Sequence, residues 1–582
     1  MNELRESTRM IIIVSLVGAA MVGLVIRLVV LHLSIGGQER SIVAKTRVFK
    51  QTLAVPRGHI MEGSSSTGIL ALSMGVQDIW ADPSLLMASN RVKTTVSLLN
   101  ALLDFDVTEV TVRLSKTNSQ FANIARLVPE DKANKVAKLK LPGVHMREAS
   151  IRSYPGNGLL CHVLGFVNSD GVGAGGIEQH MEQYLKGSPG LIESQLDGRR
   201  REMVDRRIQE IPPKDGADVI LTIDQNLQYI AEKAVDSAME RNRAKAAFVI
   251  IERIRTGEIL AIVSRPGFDP NKYREANDPQ KLNRAISFVY DPGSTFKVSV
   301  IAAALNEGIV KPETMFETEN GRWLYMGKIL RDSHPYPRLN VAEILKKSSN
   351  IGAAKIAIML GNVRLDQYLR EFNVGSRLGL DLPGEESGIL RPVAKWTGIS
   401  SSRIAIGQGV SVTGLQMLGI LCAIANDGQL MKPYVIREVV AADGTVLLRR
   451  QPQVLSHPIK PGTAALMRTL LARVCEGGGT GSKAAVDGFR VAGKTGTAQK
   501  LVGKHYSETD YMASFVGFLP VEKPEIGMIV VFDEPQPLHT GGQVSAPVFR
   551  EIAEQAVRYL GIIPSEGAPV RPITSSESNE TF

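Results

Sequence analysis

Tyr290-Asp291-Pro292-Gly293-Ser294-Thr295-Phe296-Lys297 is the stretch on which the reading of this 582-residue chain turns. The residues that follow, Val298 to Leu305, are apolar on all faces and stop at Gly308, the pattern of a buried helix. Pro-Gly just ahead of the helix puts Ser294 at its N-terminus, where unpaired N–H groups and the positive end of the dipole stabilise developing negative charge. Lys297 is three positions on, so its amine shares a face with the Ser294 hydroxyl and can reach it. A lysine acts as a general base only when neutral, and burial beside a second cation would favour that form. A serine cap beside a surface lysine has the same spacing, so this stretch does not decide the chemistry alone.

Two further stretches bear on it. Lys346-Lys347-Ser348-Ser349-Asn350 reads as the opening of another helix, and Gly493-Lys494-Thr495-Gly496-Thr497 lies in a strand-like segment. Around them, Val219–Ile223 reads as a strand, and Leu227, Ile230, Ala231, Ala234, Val235 and Ala238 mark one helix face. Ala246–Ile251 and Ile259–Ser264 read as a hairpin turning at Thr256-Gly257. Arg490–Gln499, Met512–Leu519 and Ile526–Asp533 are three more strands, and Pro547–Leu560 is a helix. Strands at both ends of a region with a long helical insertion predict an α+β domain, an antiparallel sheet packed on helices, over 214–561.

Upstream, Met10–Leu31 carries one charge, Arg27, and as a helix would be ~33 Å long, enough to cross a hydrocarbon core. It predicts a retained anchor at 10–31 behind a short tail, 1–9. Arg5 and Arg9 precede it, but Arg27, Arg40, Lys45, Arg47 and Lys50 follow, so charge does not orient it. Residues 46–211 are irregular and predict a separate region, and the Ser-, Glu- and Pro-rich 564–582 predicts a disordered tail.

Composition excludes several classes. A 44% hydrophobic chain with a net charge of +9 is not generally disordered. Cys161, Cys422 and Cys475 are too few and too far apart for a disulfide scaffold and read as buried small hydrophobes. No C-x-x-C and no close histidine pair suggests a metal site, and no metal or organic cofactor is expected. The arginines of 199–207 are diluted by Asp197, Glu202, Asp205 and Glu210, so no nucleic-acid stripe is read there.

In the order S-x-x-K, S-x-N, K-T-G-T, the three stretches resemble the motif set of penicillin-binding proteins and serine β-lactamases. Arg57-Gly58-His59-Ile60, Arg152-Ser153-Tyr154-Pro155, Gly175-Gly176-Ile177-Glu178 and Gly407-Gln408-Gly409-Val410-Ser411-Val412-Thr413 extend the resemblance to class B penicillin-binding proteins along almost the whole chain. Two departures stand out: Glu62-Gly63 with Ser64-Ser65-Ser66 replaces the usual acid-arginine-x-glycine turn, and Gly414 stands where the family commonly has proline.

The resemblance implies a bitopic envelope enzyme: anchor, pedestal over 46–211 and transpeptidase domain over 214–561, with the N-terminus cytoplasmic and the domain outside the inner membrane. It implies acyl transfer on D-Ala-D-Ala stem peptides. Ser294 is the nucleophile, Lys297 its base, Ser348 a proton relay and Asn350 an orienting amide. Lys494 supplies positive charge, and Thr495, Gly496 and Thr497 bind substrate. It further implies acylation by β-lactams, nascent lipid-linked glycan as substrate, and a membrane glycosyltransferase of the shape-elongation-division-sporulation family among the partners. The absence of a Glu-x-x-x-Asn signature of the kind found in class A β-lactamases, together with the pedestal, speaks against a β-lactamase. Asn350, Asn283-Arg284-Ala285-Ile286 and Arg265-Pro266-Gly267-Phe268-Asp269-Pro270 look like the division (septal) branch rather than the elongation one. A non-catalytic division scaffold is the alternative of a different class, and intact Ser294, Lys297 and Lys494 speak against it.

Overall fold

The computed structural model describes residues 2–565 except 47, 54, 64–67, 117–118, 120, 197–201 and 504. The Ser64–Ser66 insertion, Arg199–Arg201 of the basic cluster and residues 566–582 of the expected tail lie outside the described residues.

The chain divides into two compact units. The first comprises residues 1–55 and 187–215. Its helix Asn2–Thr46 is longer than the apolar run that announces it, and Ser7–Leu33 within it is long and apolar enough to cross a membrane. The side chains of that span are not buried against protein, as a lipid-facing helix requires. Strands Val48–Leu53, Gly190–Leu196 and Glu202–Ile211 form an antiparallel sheet with Gly190–Leu196 in the middle.

The second unit comprises residues 56–186 and 216–582 and is built on two sheets. The first runs in the order Val446–Arg449, Ile436–Val440, Asp218–Leu221, Ile60–Met61, Ile69–Ala81, Ala122–Pro129, with Val144–Ser153 also paired to Ile69–Ala81. Strands from residues 60–153 and from 218–449 therefore share one sheet. Here the family-like motifs before residue 180 meet. Glu178 is fully buried; one carboxylate oxygen accepts from Arg57 Nε at 2.5 Å and the other from Arg152 Nε at 2.6 Å and from the Tyr154 hydroxyl at 3.3 Å. Arg57 also pairs with Glu182 at 2.7 Å. Two arginines converging on a carboxylate in low dielectric hold three distant segments in register.

The second sheet is antiparallel, in the order Glu258–Arg265, Ala246–Arg253, Ile526–Asp533, His505–Leu519, Ala492–Val502. The hairpin predicted around Thr256-Gly257 is present, with Gly257 at φ +77°. Helices cover both faces, which is why Ala246–Ile251 reads as an unbroken apolar run. Ala247, Val249 and Ile251 pack toward helices Gln225–Asn242 and Ser545–Tyr559, whereas Phe248 and Ile250 pack toward Gly414–Ala425 and Lys297–Asn306. Gly414 opens its helix against Phe248, where an added Cβ would lie 2.3 Å from the ring. The residue that departs from the family's proline thus leaves room for a large aromatic. Cys161, Cys422 and Cys475 are free and buried.

Candidate active site

Ser294 lies in a 3₁₀ turn, Gly293–Phe296, that runs straight into the helix Lys297–Asn306. The turn is held from two sides. Gly293, at φ +58°, donates its N–H to Gly407 O at 3.3 Å, and a Cβ on Gly407 would stand 2.3 Å from Gly293 O. On the other side Gly496 lets its strand lie against Pro292 and Thr295: a Cβ there would meet Pro292 O at 3.2 Å and Ser514 Oγ at 2.2 Å. The glycines of the two motifs are required by close backbone approach.

Lys346-Lys347-Ser348-Ser349-Asn350 opens a helix, as the pattern predicts, but it also closes the one before. Lys346 and Lys347 close the helix Val341–Lys347, Ser348 adopts φ +61° as its C-cap, and Ser349 caps the next helix, Asn350–Leu360, its Oγ accepting from Gly352 N at 3.0 Å. The reversal turns the Ser348 carbonyl and hydroxyl toward the Ser294 turn. Lys297 Nζ then lies 3.0 Å from Ser294 Oγ, 2.5 Å from Ser348 O, 3.1 Å from Ser348 Oγ and 2.7 Å from Asn350 Oδ1.

Lys494 and its neighbours come from the edge strand Ala492–Val502, in register with Val516, Phe515, Ser514 and Ala513 opposite Lys494, Thr495, Gly496 and Thr497. Lys494 Nζ donates to Ser348 Oγ at 2.9 Å and to Thr495 O at 3.2 Å. Thr495 Oγ1 donates to Thr480 Oγ1 at 2.9 Å, and Thr497 Oγ1 accepts from Gly541 N at 3.2 Å. All eight site residues predicted from the sequence are thus brought together, with Ser294, Ser348, Asn350, Thr495 and Thr497 lining one open cleft of about 500 Å³.

Both amines are fully buried. Burial, and then the positive charge of Lys494, hold Lys297 well below an ordinary lysine, while the Asp332 carboxylate pulls the other way. Burial lowers Lys494 to about 7. Burial and the Lys494 charge thus both favour the neutral form of Lys297, the form that can accept a proton.

Three neighbours carried no sequence signal. Asp291 accepts from Ser411 Oγ at 2.8 Å and from the Tyr506 hydroxyl at 2.9 Å. Thr480 follows a glycine run that marks only a turn. Asp332 follows the strand Lys328–Arg331 and has no motif around it. Among the described residues, no cluster of three His, Cys, Asp or Glu side chains is placed to hold a metal ion.

With this geometry in view, comparisons with known proteins give a consistent answer. Residues 247–554 match the penicillin binding protein transpeptidase domain and residues 52–221 the penicillin-binding protein dimerisation domain. The chain is 33% identical over 529 residues to the probable peptidoglycan D,D-transpeptidase PenA of Neisseria meningitidis, covering 90% of this chain and 87% of PenA. It is 31% identical over 546 residues to the peptidoglycan D,D-transpeptidase FtsI of Escherichia coli, covering 91% and 87%. The crystal structure of penicillin binding protein 3 from Mycobacterium tuberculosis complexed with aztreonam superposes with a TM-score of 0.69 at 25% identity, over 90% of this chain and all of that one. This chain belongs to the class B penicillin-binding proteins, a family of serine transpeptidases.

Proposed function

We propose that this protein is a membrane-anchored serine D,D-transpeptidase that crosslinks peptidoglycan stem peptides during septal wall synthesis. The observation that carries the reading is the continuous hydrogen-bonded line from Ser294 Oγ through Lys297 Nζ and Ser348 Oγ to Lys494 Nζ at the base of an open cleft.

A neutral Lys297 has two N–H donors and one lone pair. Its closest acceptors, Ser348 O and Asn350 Oδ1, use the donors, and the lone pair is left to take the Ser294 proton. The alkoxide attacks the penultimate D-Ala carbonyl, and the oxyanion is stabilised by the backbone N–H groups of Ser294 and Thr497. The proton passes from Lys297 by way of Ser348 to the departing D-Ala amine, leaving an ester on Ser294. An acceptor amine then attacks that ester, returns a proton along the same line and forms the crosslinking amide. Lys494, Thr495 and Thr497 receive the substrate carboxylate. A β-lactam forms the same ester but retains its leaving group.

The helix Ser7–Leu33 is read as a single-pass anchor with the N-terminus cytoplasmic, because the stem-peptide substrate lies outside the inner membrane. Asn350 at the third position of S-x-N and the likeness to FtsI support a septal role, with lipid-linked glycan and a membrane glycosyltransferase as working partners. Labelling with a fluorescent penicillin, wild type against Ser294→Ala, tests the nucleophile, and retained labelling in the variant overturns it. Release of D-Ala accompanied by a crosslinked product, rather than by a hydrolysed stem peptide, separates transpeptidase from carboxypeptidase. Depletion that yields filaments supports the septal role, and depletion that yields rounded cells assigns the enzyme to elongation instead.

A further inference from the structure

Asn350 reaches Lys297 with its oxygen, and what turns it that way lies outside the three motifs. Its Nδ2 donates to Arg331 O at 2.8 Å, which leaves Oδ1 to face Lys297 Nζ at 2.7 Å. The next residue, Asp332, grips the first turn of the same helix. Its Oδ1 accepts from Asn350 N at 2.5 Å and Ile351 N at 3.0 Å, and its Oδ2 accepts from Ser349 Oγ at 2.6 Å. Asp332 N is in turn anchored to Gly321 O at 3.1 Å, behind the hairpin of Arg322–Tyr325 and Lys328–Arg331. An anion accepting from the free N–H groups of a helix start is a strong, directional contact. Among the described residues Asp332 makes no ion pair, so its acceptors serve this turn alone.

We propose that Asp332 is a positioning residue for acyl transfer: by anchoring the Ser349–Ile351 turn it holds Asn350, and through Asn350 the Lys297 amine, in the geometry that activates Ser294. The inference rests on the acyl-transfer reading above and adds a residue to it. Among the described residues, two charged groups act on Lys297: Lys494 from the edge strand and Asp332 from the hairpin side. The Asp332 carboxylate favours the protonated amine, so it also sets how far pH must rise before the base is free. Asp332→Asn separates the two effects, because the amide keeps an acceptor for the helix N–H groups and a donor for Ser349 while removing the charge.

The test is the second-order rate of acylation of the full-length chain by a fluorescent penicillin, from about pH 5 to about pH 9, for wild type, Asp332→Asn and Asp332→Ala, with Tm measured in parallel. Asp332→Asn is expected to stay folded and to move the acidic limb of the profile to lower pH by about half a unit or more. Asp332→Ala is expected to lose about tenfold to a hundredfold in rate among molecules that remain folded. An unmoved limb in Asp332→Asn, or a rate within about threefold of wild type in Asp332→Ala, overturns the proposal. A wild-type chain that takes no label overturns the acyl-transfer reading instead, so the two failures are distinguishable.

Discussion

The Ser348 hydroxyl lies 2.9 Å from the Lys494 amine and accepts a hydrogen bond from it. Ser348 is also 3.1 Å from Lys297, so among the described residues it is the side chain that hydrogen-bonds to both buried amines. Ser348→Ala should therefore leave Ser294 in place but break the relay, slowing acylation by about 10²- to 10⁴-fold. Stopped-flow acylation with a chromogenic cephalosporin measures the loss, and a rate near wild type would remove Ser348 from the proton path.

Lys494, held down to about 7 by burial, should be drawn back toward its ordinary value when a carboxylate enters the cleft. Binding of an anionic β-lactam slightly above neutral pH should take up a fraction of a proton. Calorimetry of the non-acylating Ser294→Ala variant in two buffers of different ionisation enthalpy checks the sign. Proton release, or no exchange, would contradict it.

Glu178 in the buried Arg57–Glu178–Arg152 cluster predicts a stability effect without a catalytic one. Glu178→Ala strands the buried Arg152 guanidinium and leaves Arg57 with Glu182 alone, at a cost of about 3 to 5 kcal/mol. Tm should drop while acylation per folded molecule stays near wild type, as paired thermal melts and active-site titration would show.

Glu252 is fully buried with Cys422 as its hydrogen-bond partner, and burial raises its carboxyl from 4.5 to about 8. Between these values the folded state holds a proton that the unfolded state has lost. Its contribution is therefore present at low pH and declines as pH rises through this window, by at most about 1.4 kcal/mol per pH unit. Glu252→Gln cannot ionise, so the wild-type-minus-variant stability should fall with pH from about 4.5 to about 8. Denaturant unfolding across that range tests it, and a flat difference would mean that Glu252 stays ionised in the fold.

Gly407→Ala would put a methyl 2.3 Å from Gly293 O at φ +71°, directly behind the nucleophile's turn. Acylation should fall by about tenfold or more, because small displacements of a reacting atom are costly. The penicillin-labelling rate and far-UV circular dichroism together separate this from unfolding.

The strands and helices around the site were largely legible because period-2 and period-3.6 burial writes itself into apolar spacing. Ala246–Arg253, Glu258–Arg265 and Ile526–Asp533 fall within a residue or two of where alternation and turn residues put them. Lys346–Asn350 opens a helix as its pattern predicts, but the pattern does not show that the same stretch also ends the helix before it. The sharp reversal at Ser348 depends on a left-handed backbone that serine seldom adopts, and surrounding contacts hold it there.

Motif order in the chain by itself determined the chemistry: a serine before an apolar helix, a lysine one turn on, then S-x-N and K-T-G-T. Local spacing constrains reach along one helix or strand, and for Ser294 and Lys297 that was enough. Only the tertiary structure decided which groups act on those amines. Lys494 meets Ser348 from a strand 146 positions away, and Asp332 meets Asn350 from a hairpin with no signature of its own. Contacts between distant segments depend on how a sheet edge and a helix start are packed together, and side-chain periodicity carries no record of that.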